Sequence, residues 1–199
     1  MMLLYCLVSA GGIGWLGGRP NTAWAQERGK PAEEVIKVTR IAPAEQGGQA
    51  YRLVYTVSAA LPVYWRFKTD FNNDFLVENK FIQAHRVISR QGNTVITENK
   101  YTNRPTASFR WQTVVVPEIY RIEFKLLNPE ACHHTFHYGN IQLEAVAGGT
   151  RVTQIAYFDF AGATLWAIYP WRGGMRDFLT YTARWEQETI QRLKARYVR

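Results

Sequence analysis

Charge is missing from the opening of this chain, where no Lys, Arg, Asp or Glu precedes Arg19. Cysteine is scarce too: Cys6 lies in that uncharged opening and Cys132 far downstream. So few cysteines exclude a disulfide-stapled scaffold, and once the opening is removed Cys132 has no second cysteine with which to form a disulfide. No Gly-x-Ser-x-Gly elbow and no Gly-x-x-x-x-Gly-Lys loop occurs, so neither hydrolase nor phosphate-loop chemistry has its usual signature. Repeats and low-complexity tracts are absent as well, which sets aside solenoids and arrays. Apolar matter is what the chain does have. A hydrophobic fraction of 47% over 199 residues suffices for the core of one ordinary domain and excludes disorder.

The uncharged opening, Met1 to Leu16, leads through Arg19 and Pro20 to Ala23-Trp24-Ala25. An apolar segment of this length can engage the export machinery, and the small residues at 23 and 25 suit a signal peptidase cleft. Residues 1–25 are therefore expected to be a signal peptide, with Gln26 first in the mature chain. Gly11, Gly12, Gly14, Gly17 and Gly18 would make a poor permanent membrane helix. The absence of Lys or Arg before Leu3 departs from the usual positive start and keeps a retained anchor as the alternative. Cys6 is not read as a lipidation site, because the apolar segment continues past it. The expected location is outside the cytoplasm, in the periplasm of a two-membrane bacterium.

Removing Arg19 with the signal takes the formal charge from +8 to +7. The cations are scattered singly and gather only at Arg192-Leu193-Lys194-Ala195-Arg196. There they complement the dipole at a helix C-terminus, so a solvated helix end is preferred over a docking patch for an anionic membrane surface. Nucleic acid is not expected as a partner of an exported chain, and the sequence sets no oligomeric state.

Residues 26–48, with Pro31, Pro43, Gly47 and Gly48 among charges, read as an N-terminal arm or linker, and 49–199 as the domain. Tyr51, Leu53, Tyr55 and Val57 alternate with polar residues, the period of a half-buried strand. One or two short helices follow Pro62. Strands are then expected at Phe81 to Ser89, Thr94 to Tyr101, Ser108 to Val116, Tyr120 to Leu127, Thr135 to Ala145 and Arg151 to Ala161. Turn residues such as Asn103-Arg104-Pro105 and Gly148-Gly149 separate them. Finally Trp171, Met175, Phe178, Thr182, Trp185, Thr189 and Leu193 recur at steps of three and four, one stripe of a helix from Gly174 to Tyr197. The expected fold is α+β: a mostly antiparallel, curved seven-stranded sheet wrapped around a long C-terminal helix.

That order, with Leu61-Pro62-Val63-Tyr64-Trp65-Arg66-Phe67-Lys68-Thr69-Asp70 after the first strand and Gly162-Ala163 before the terminal segment, resembles the START-like (helix-grip, SRPBCC) superfamily. This superfamily includes lipid-transfer START domains, coenzyme Q-binding proteins and polyketide cyclases. The resemblance implies a cavity between sheet and last helix, open near the helix N-terminus, that holds an apolar small molecule such as a lipid or quinone. Its expected walls are Trp166, Tyr169, Trp171, Met175, Phe178 and Thr182 on one side and Tyr55, Trp111, Tyr120 and Phe124 on the other. Aromatic walls with an adaptable Met suit a flat or isoprenoid-like ligand. Thr182 can instead hydrogen-bond the preceding helical turn. No cofactor is implied.

Chemistry has few footholds. Cys132-His133-His134-Thr135-Phe136-His137 is the one cluster of metal-type ligands, but strand alternation sends His134 and His137 to opposite faces, so no metal site is expected. Asp70, Asp74, Asp159 and Glu186 are the acids nearest apolar sequence, and alternation places Asp159 with Tyr157 and Thr153 on the outer face. A non-catalytic binding protein is the first reading. The alternative is a cyclase- or isomerase-type enzyme in which Asp159, Gln154 or His85 converge in the pocket to move protons.

Overall fold

The structure is a computed structural model that describes residues 36–72, 82–101, 104–160 and 174–198. The alternating segments form strands β1 (Lys37–Arg40), β2 (Gln49–Val57), β3 (Ile82–Gln91), β4 (Thr94–Tyr101), β5 (Arg104–Val116), β6 (Arg121–Leu126), β7 (His134–Val146) and β8 (Gly149–Phe160). Helix α1 (Leu61–Thr69) follows β2, and helix α2 (Gly174–Leu193) ends in a 3-10 turn, Lys194–Tyr197. All strand pairs are antiparallel, in the order β1-β2-β8-β7-β6-β5-β4-β3. From β3 to β8 each strand pairs with the next. The α1 connection carries the chain from β2 across to the far edge.

The curved, open sheet and the long terminal helix are as the sequence predicts, but the strand number is eight and not seven. The extra strand, Lys37–Arg40, comes from the segment read as an arm and pairs along β2 from Lys37↔Val54 to Arg40↔Tyr51. Strand β5 also begins earlier than expected, at Arg104, inside the presumed Asn103-Arg104-Pro105 turn.

Leu53, Tyr55, Ile122, Phe124, Ile141, Leu143, Val152 and Phe158 are buried on the face of the sheet that meets α1 and α2. Helix α2 presents Met175, Phe178, Leu179, Thr182, Ala183, Glu186, Thr189 and Ile190 to this core. Trp185 and Leu193, expected on the buried stripe, are half-buried at its flank. The buried face is centred on 179, 183, 186 and 190, a rotation that brings an acid into the core in place of an indole.

Among the described residues no helix is long and apolar enough to cross a membrane. The expected signal peptide, Ala161 to Gly173 and the acid Asp74 lie outside the described residues.

Candidate functional site

The direction of α2 fixes which end of the sheet can hold a site. Glu186 meets Tyr55, Gln187 donates to the Thr56 carbonyl at 2.8 Å, and Gln191 donates to Ser58 Oγ at 3.0 Å. The C-terminal half of α2 therefore lies at the Val57 end of β2. From Glu186 back to Met175 the helix rises roughly 16 Å, and from Tyr55 back to Gln49 a strand covers about 20 Å. The start of α2 thus reaches the Gln49 end of the sheet.

At that end Gln49 faces Phe158 across β2 and β8, and Phe158 faces His137 across β8 and β7. Trp111 stands on β5 opposite Leu126. The rings meet closely: Trp111 and His137 edge to face at 4.9 Å, His137 and Phe158 at 5.5 Å, Trp111 and Phe124 at 6.4 Å. His134 stacks on His137 at 5.7 Å and contacts Phe109 and Phe160. Four strands, β5 to β8, contribute to this aromatic nest, at the end of the sheet that the start of α2 reaches.

The two histidines correct the sequence reading, which sent them to opposite faces of a strand. The pairing of β7 with β8 slips between His134↔Phe160 and Phe136↔Asp159. That β-bulge spends Thr135 without a partner and turns His134 to the same side as His137. Both are buried, at 7% and 4% exposure. His134 Nδ1 lies 3.0 Å from the Cys132 carbonyl. No cluster of three or more metal-type ligands occurs among the described residues.

Inside the nest two polar atoms lack hydrogen-bond partners, Trp111 Nε1 and His137 Nε2. A buried polar group without a partner costs about 1–3 kcal/mol, so two of them side by side in an aromatic wall need a reason. Burial first, and then the nearby His134, push the His137 imidazole well below its ordinary value of 6.5, which makes it neutral at physiological pH. In the unfolded chain His137 binds a proton below about 6.5 and in the folded chain it does not, so acid favours unfolding. Stability should fall as the pH drops through about 6.5 and keep falling until the depressed folded value is reached. Below the ordinary 4.5 of a glutamate, Glu186, which is also lowered, adds a loss of the same sign. Urea titrations from pH 7.5 to 5 should show this slope in the wild type and a flatter profile in His137→Phe.

A second constellation lies midway along α2. Glu186 Oε2 accepts from Tyr55 Oη at 2.5 Å and also from Tyr64 Oη, while Oε1 accepts from Lys68 Nζ at 2.7 Å. Lys68 and Glu186 are 2% and 3% exposed, so this is an ion pair removed from water. Burial by itself would raise the Glu186 carboxyl; the Lys68 ammonium and the three donated hydrogen bonds outweigh it and hold it below the usual range. Burial and the Glu186 charge push both phenols well above theirs. Every strong donor here is already engaged, so the cluster ties β2, α1 and α2 together.

On the opposite, outer face of the sheet lies a groove of about 890 Å³. Gln112, Glu123, Lys125 and Tyr138 line it, with Lys125 paired across both neighbouring strands to Gln112 and Tyr138. It is open and charged, and Phe124 and His137 also border it.

Among solved structures this chain is similar to the STAR-related lipid transfer protein of Xanthomonas axonopodis (fragment 25-204), at 15% identity and a TM-score of 0.53 over 78% of this chain and 96% of that one. It is also similar to Ara h 8.0201, at 12% identity and 0.51 over 76% and 98%, and to the Zhui aromatase/cyclase of Streptomyces sp. R1128, at 10% and 0.50 over 57% and 69%. The chain has the START-like helix-grip fold. Neither a protein-family model nor a curated protein matches the sequence.

Within this helix-grip frame the expected wall residues divide. Trp111 and Phe124 are in the nest, and Met175 and Phe178 belong to the same buried core from the helix side. Tyr55 stands apart, its phenol given to Glu186. Tyr120 does not belong to β6: it takes a left-handed conformation after a 3-10 turn, and its ring meets Trp65 of α1 edge to face at 5.4 Å. Thr182 donates to the Phe178 carbonyl at 3.0 Å, the back-bond that competes with a ligand contact. Trp166, Tyr169 and Trp171 lie outside the described residues.

The three groups considered for proton transfer are not brought together. Gln154 is buried on the inner face, Asp159 is on the outer face beside Tyr157, and His85 is held on edge strand β3 by the Asn99 side chain and the Phe71 carbonyl at 2.6 and 2.8 Å. Sequence reasoning missed His134 as an inner-face group because alternation has no means of registering a bulge, whereas His137 is in even register with the buried Ile141 and Leu143.

Proposed function

We propose that this protein is an exported, non-catalytic binding protein that holds an apolar small molecule between the inner face of the sheet and the start of α2. The observation that carries the reading is the aromatic nest of Trp111, Phe124, His137 and Phe158, in which Trp111 Nε1 and His137 Nε2 are buried without partners. A folded core normally satisfies such groups, whereas a binding site leaves them for its ligand. The scattered placement of Gln154, Asp159 and His85 favours binding over catalysis, because proton transfer needs its groups within hydrogen-bond reach of one reacting atom. The fold is consistent with this role: similar structures include one described as a lipid transfer protein, although another is described as an aromatase/cyclase.

Export rests on the uncharged Met1 to Leu16 and the small pair Ala23 and Ala25. The cations around Arg192 to Arg196 are read first as a solvated helix end, with an anionic membrane surface as the weaker alternative.

Native mass spectrometry of the protein purified from its own host tests both halves. The expected spectrum shows a polypeptide beginning at Gln26 that carries a noncovalent adduct released by organic solvent. A chain that is always free of adduct sinks the binding reading. One that retains residues 3–16 sinks the soluble exported form.

A further inference from the structure

The pattern of bonding capacity in the nest narrows the ligand. Trp111 Nε1 can only donate, and a neutral His137 offers at Nε2 either a lone pair or a hydrogen according to its tautomer. The two rings meet edge to face with their centroids 4.9 Å apart, so both unpartnered nitrogens belong to one corner of the wall. Around them stand Phe124, Phe158 and the stacked His134. The buried cation among the described residues is Lys68, and its ammonium is bound to Glu186 in the other constellation. A carboxylate or phosphate entering the nest would lose its hydration with no buried positive charge to replace it. A hydrocarbon without any polar atom would leave both nitrogens unsatisfied.

We infer that the apolar ligand carries one uncharged oxygen, a hydroxyl or carbonyl, that accepts a hydrogen bond from Trp111 Nε1 and takes His137 Nε2 as its second partner. This rests on the binding function proposed above and adds the ligand class: neutral, flat or isoprenoid, singly oxygenated where it meets β5 and β7. Fatty acids and phosphate-bearing head groups are disfavoured at this point of the wall.

The test is displacement of Nile red from the full-length folded protein by three probes of one shape: naphthalene, 2-naphthol and 2-naphthoate. The expected order is 2-naphthol tightest, by about tenfold over naphthalene for two neutral hydrogen bonds gained, with 2-naphthoate weakest. In Trp111→Phe and, separately, His137→Phe, the ratio of naphthol to naphthalene affinity should shrink toward unity, whatever the common change in apolar binding. Having both variants guards against one failing to fold. Equal binding of naphthol and naphthalene by the wild type overturns the oxygen site and leaves the apolar pocket standing, as does tightest binding of naphthoate. A parallel loss of both neutral probes in the variants also overturns it, since the rings would then act through packing alone. If neither Nile red nor any probe binds, the binding function itself falls, and this inference with it.

Discussion

Glu186→Ala is expected to destabilise the protein by about 3–5 kcal/mol, the usual cost of stripping the partner from a buried charge. For a chain of this size that is roughly 6–20 °C in Tm. The substitution strands the Lys68 ammonium at 2% exposure and takes the acceptor from the Tyr55 and Tyr64 phenols. Removing the whole constellation should behave differently. In Tyr55→Phe/Tyr64→Phe/Lys68→Met/Glu186→Leu all four polar side chains of the constellation are gone together, and apolar side chains of similar volume commonly equal a buried ion pair. The combined variant should therefore unfold near the wild-type temperature, or above it, in a thermal melt followed by circular dichroism. A combined variant no more stable than Glu186→Ala would show that the cluster contributes net stability, contrary to this expectation.

Gly139→Ala should cost about 3 kcal/mol or more, at the top of the range for overpacked cores. Gly139 is on β7 opposite Phe124 of β6 and Ala156 of β8. A Cβ there would run into the Ile155 carbonyl oxygen and the end of the Phe124 ring, well inside van der Waals contact. The ring could turn away, but the carbonyl belongs to a ladder of backbone hydrogen bonds and cannot. Consequently Gly139→Ala/Phe124→Leu should remain nearly as unstable as the single variant. Wild-type melting of Gly139→Ala would mean that β8 yields more readily than its pairing along twelve residues of β7 indicates.

Much of the architecture was legible because it follows from period. Tyr51, Leu53, Tyr55 and Val57 are all buried on β2, and Ile122, Phe124 and Leu126 on β6, as alternation requires. Strand β1 escaped notice because Lys37–Arg40 is only four residues long, mostly exposed, and exists by pairing with β2. Glu186 was visible as an acid near apolar sequence, but nothing local told that Lys68, 118 positions earlier, would meet it. Tyr120 was drawn into a strand by the clean alternation after it, whereas its left-handed backbone is set by the Pro117 turn before it. Of the candidate site, the aromatic identity of the wall could be read, but its polar pair could not. That pair depends on which way a single histidine points.

The slip at Thr135 makes the inward turn of His134, the ring stacked on His137, a matter of one codon. In an even ladder a polar ring can reach the interior only by replacing an inward-facing residue, at the expense of the apolar side chain already there. An extra residue achieves the same by shifting phase: everything after it keeps its face, and what lies before it is inverted. Insertion and deletion at this position are thus a far shorter mutational route between a dry aromatic wall and one studded with nitrogen than substitution would be. In sequences of this fold, length variation next to Asn128-Pro129 would then report on pocket polarity, although by position it would pass for ordinary loop drift.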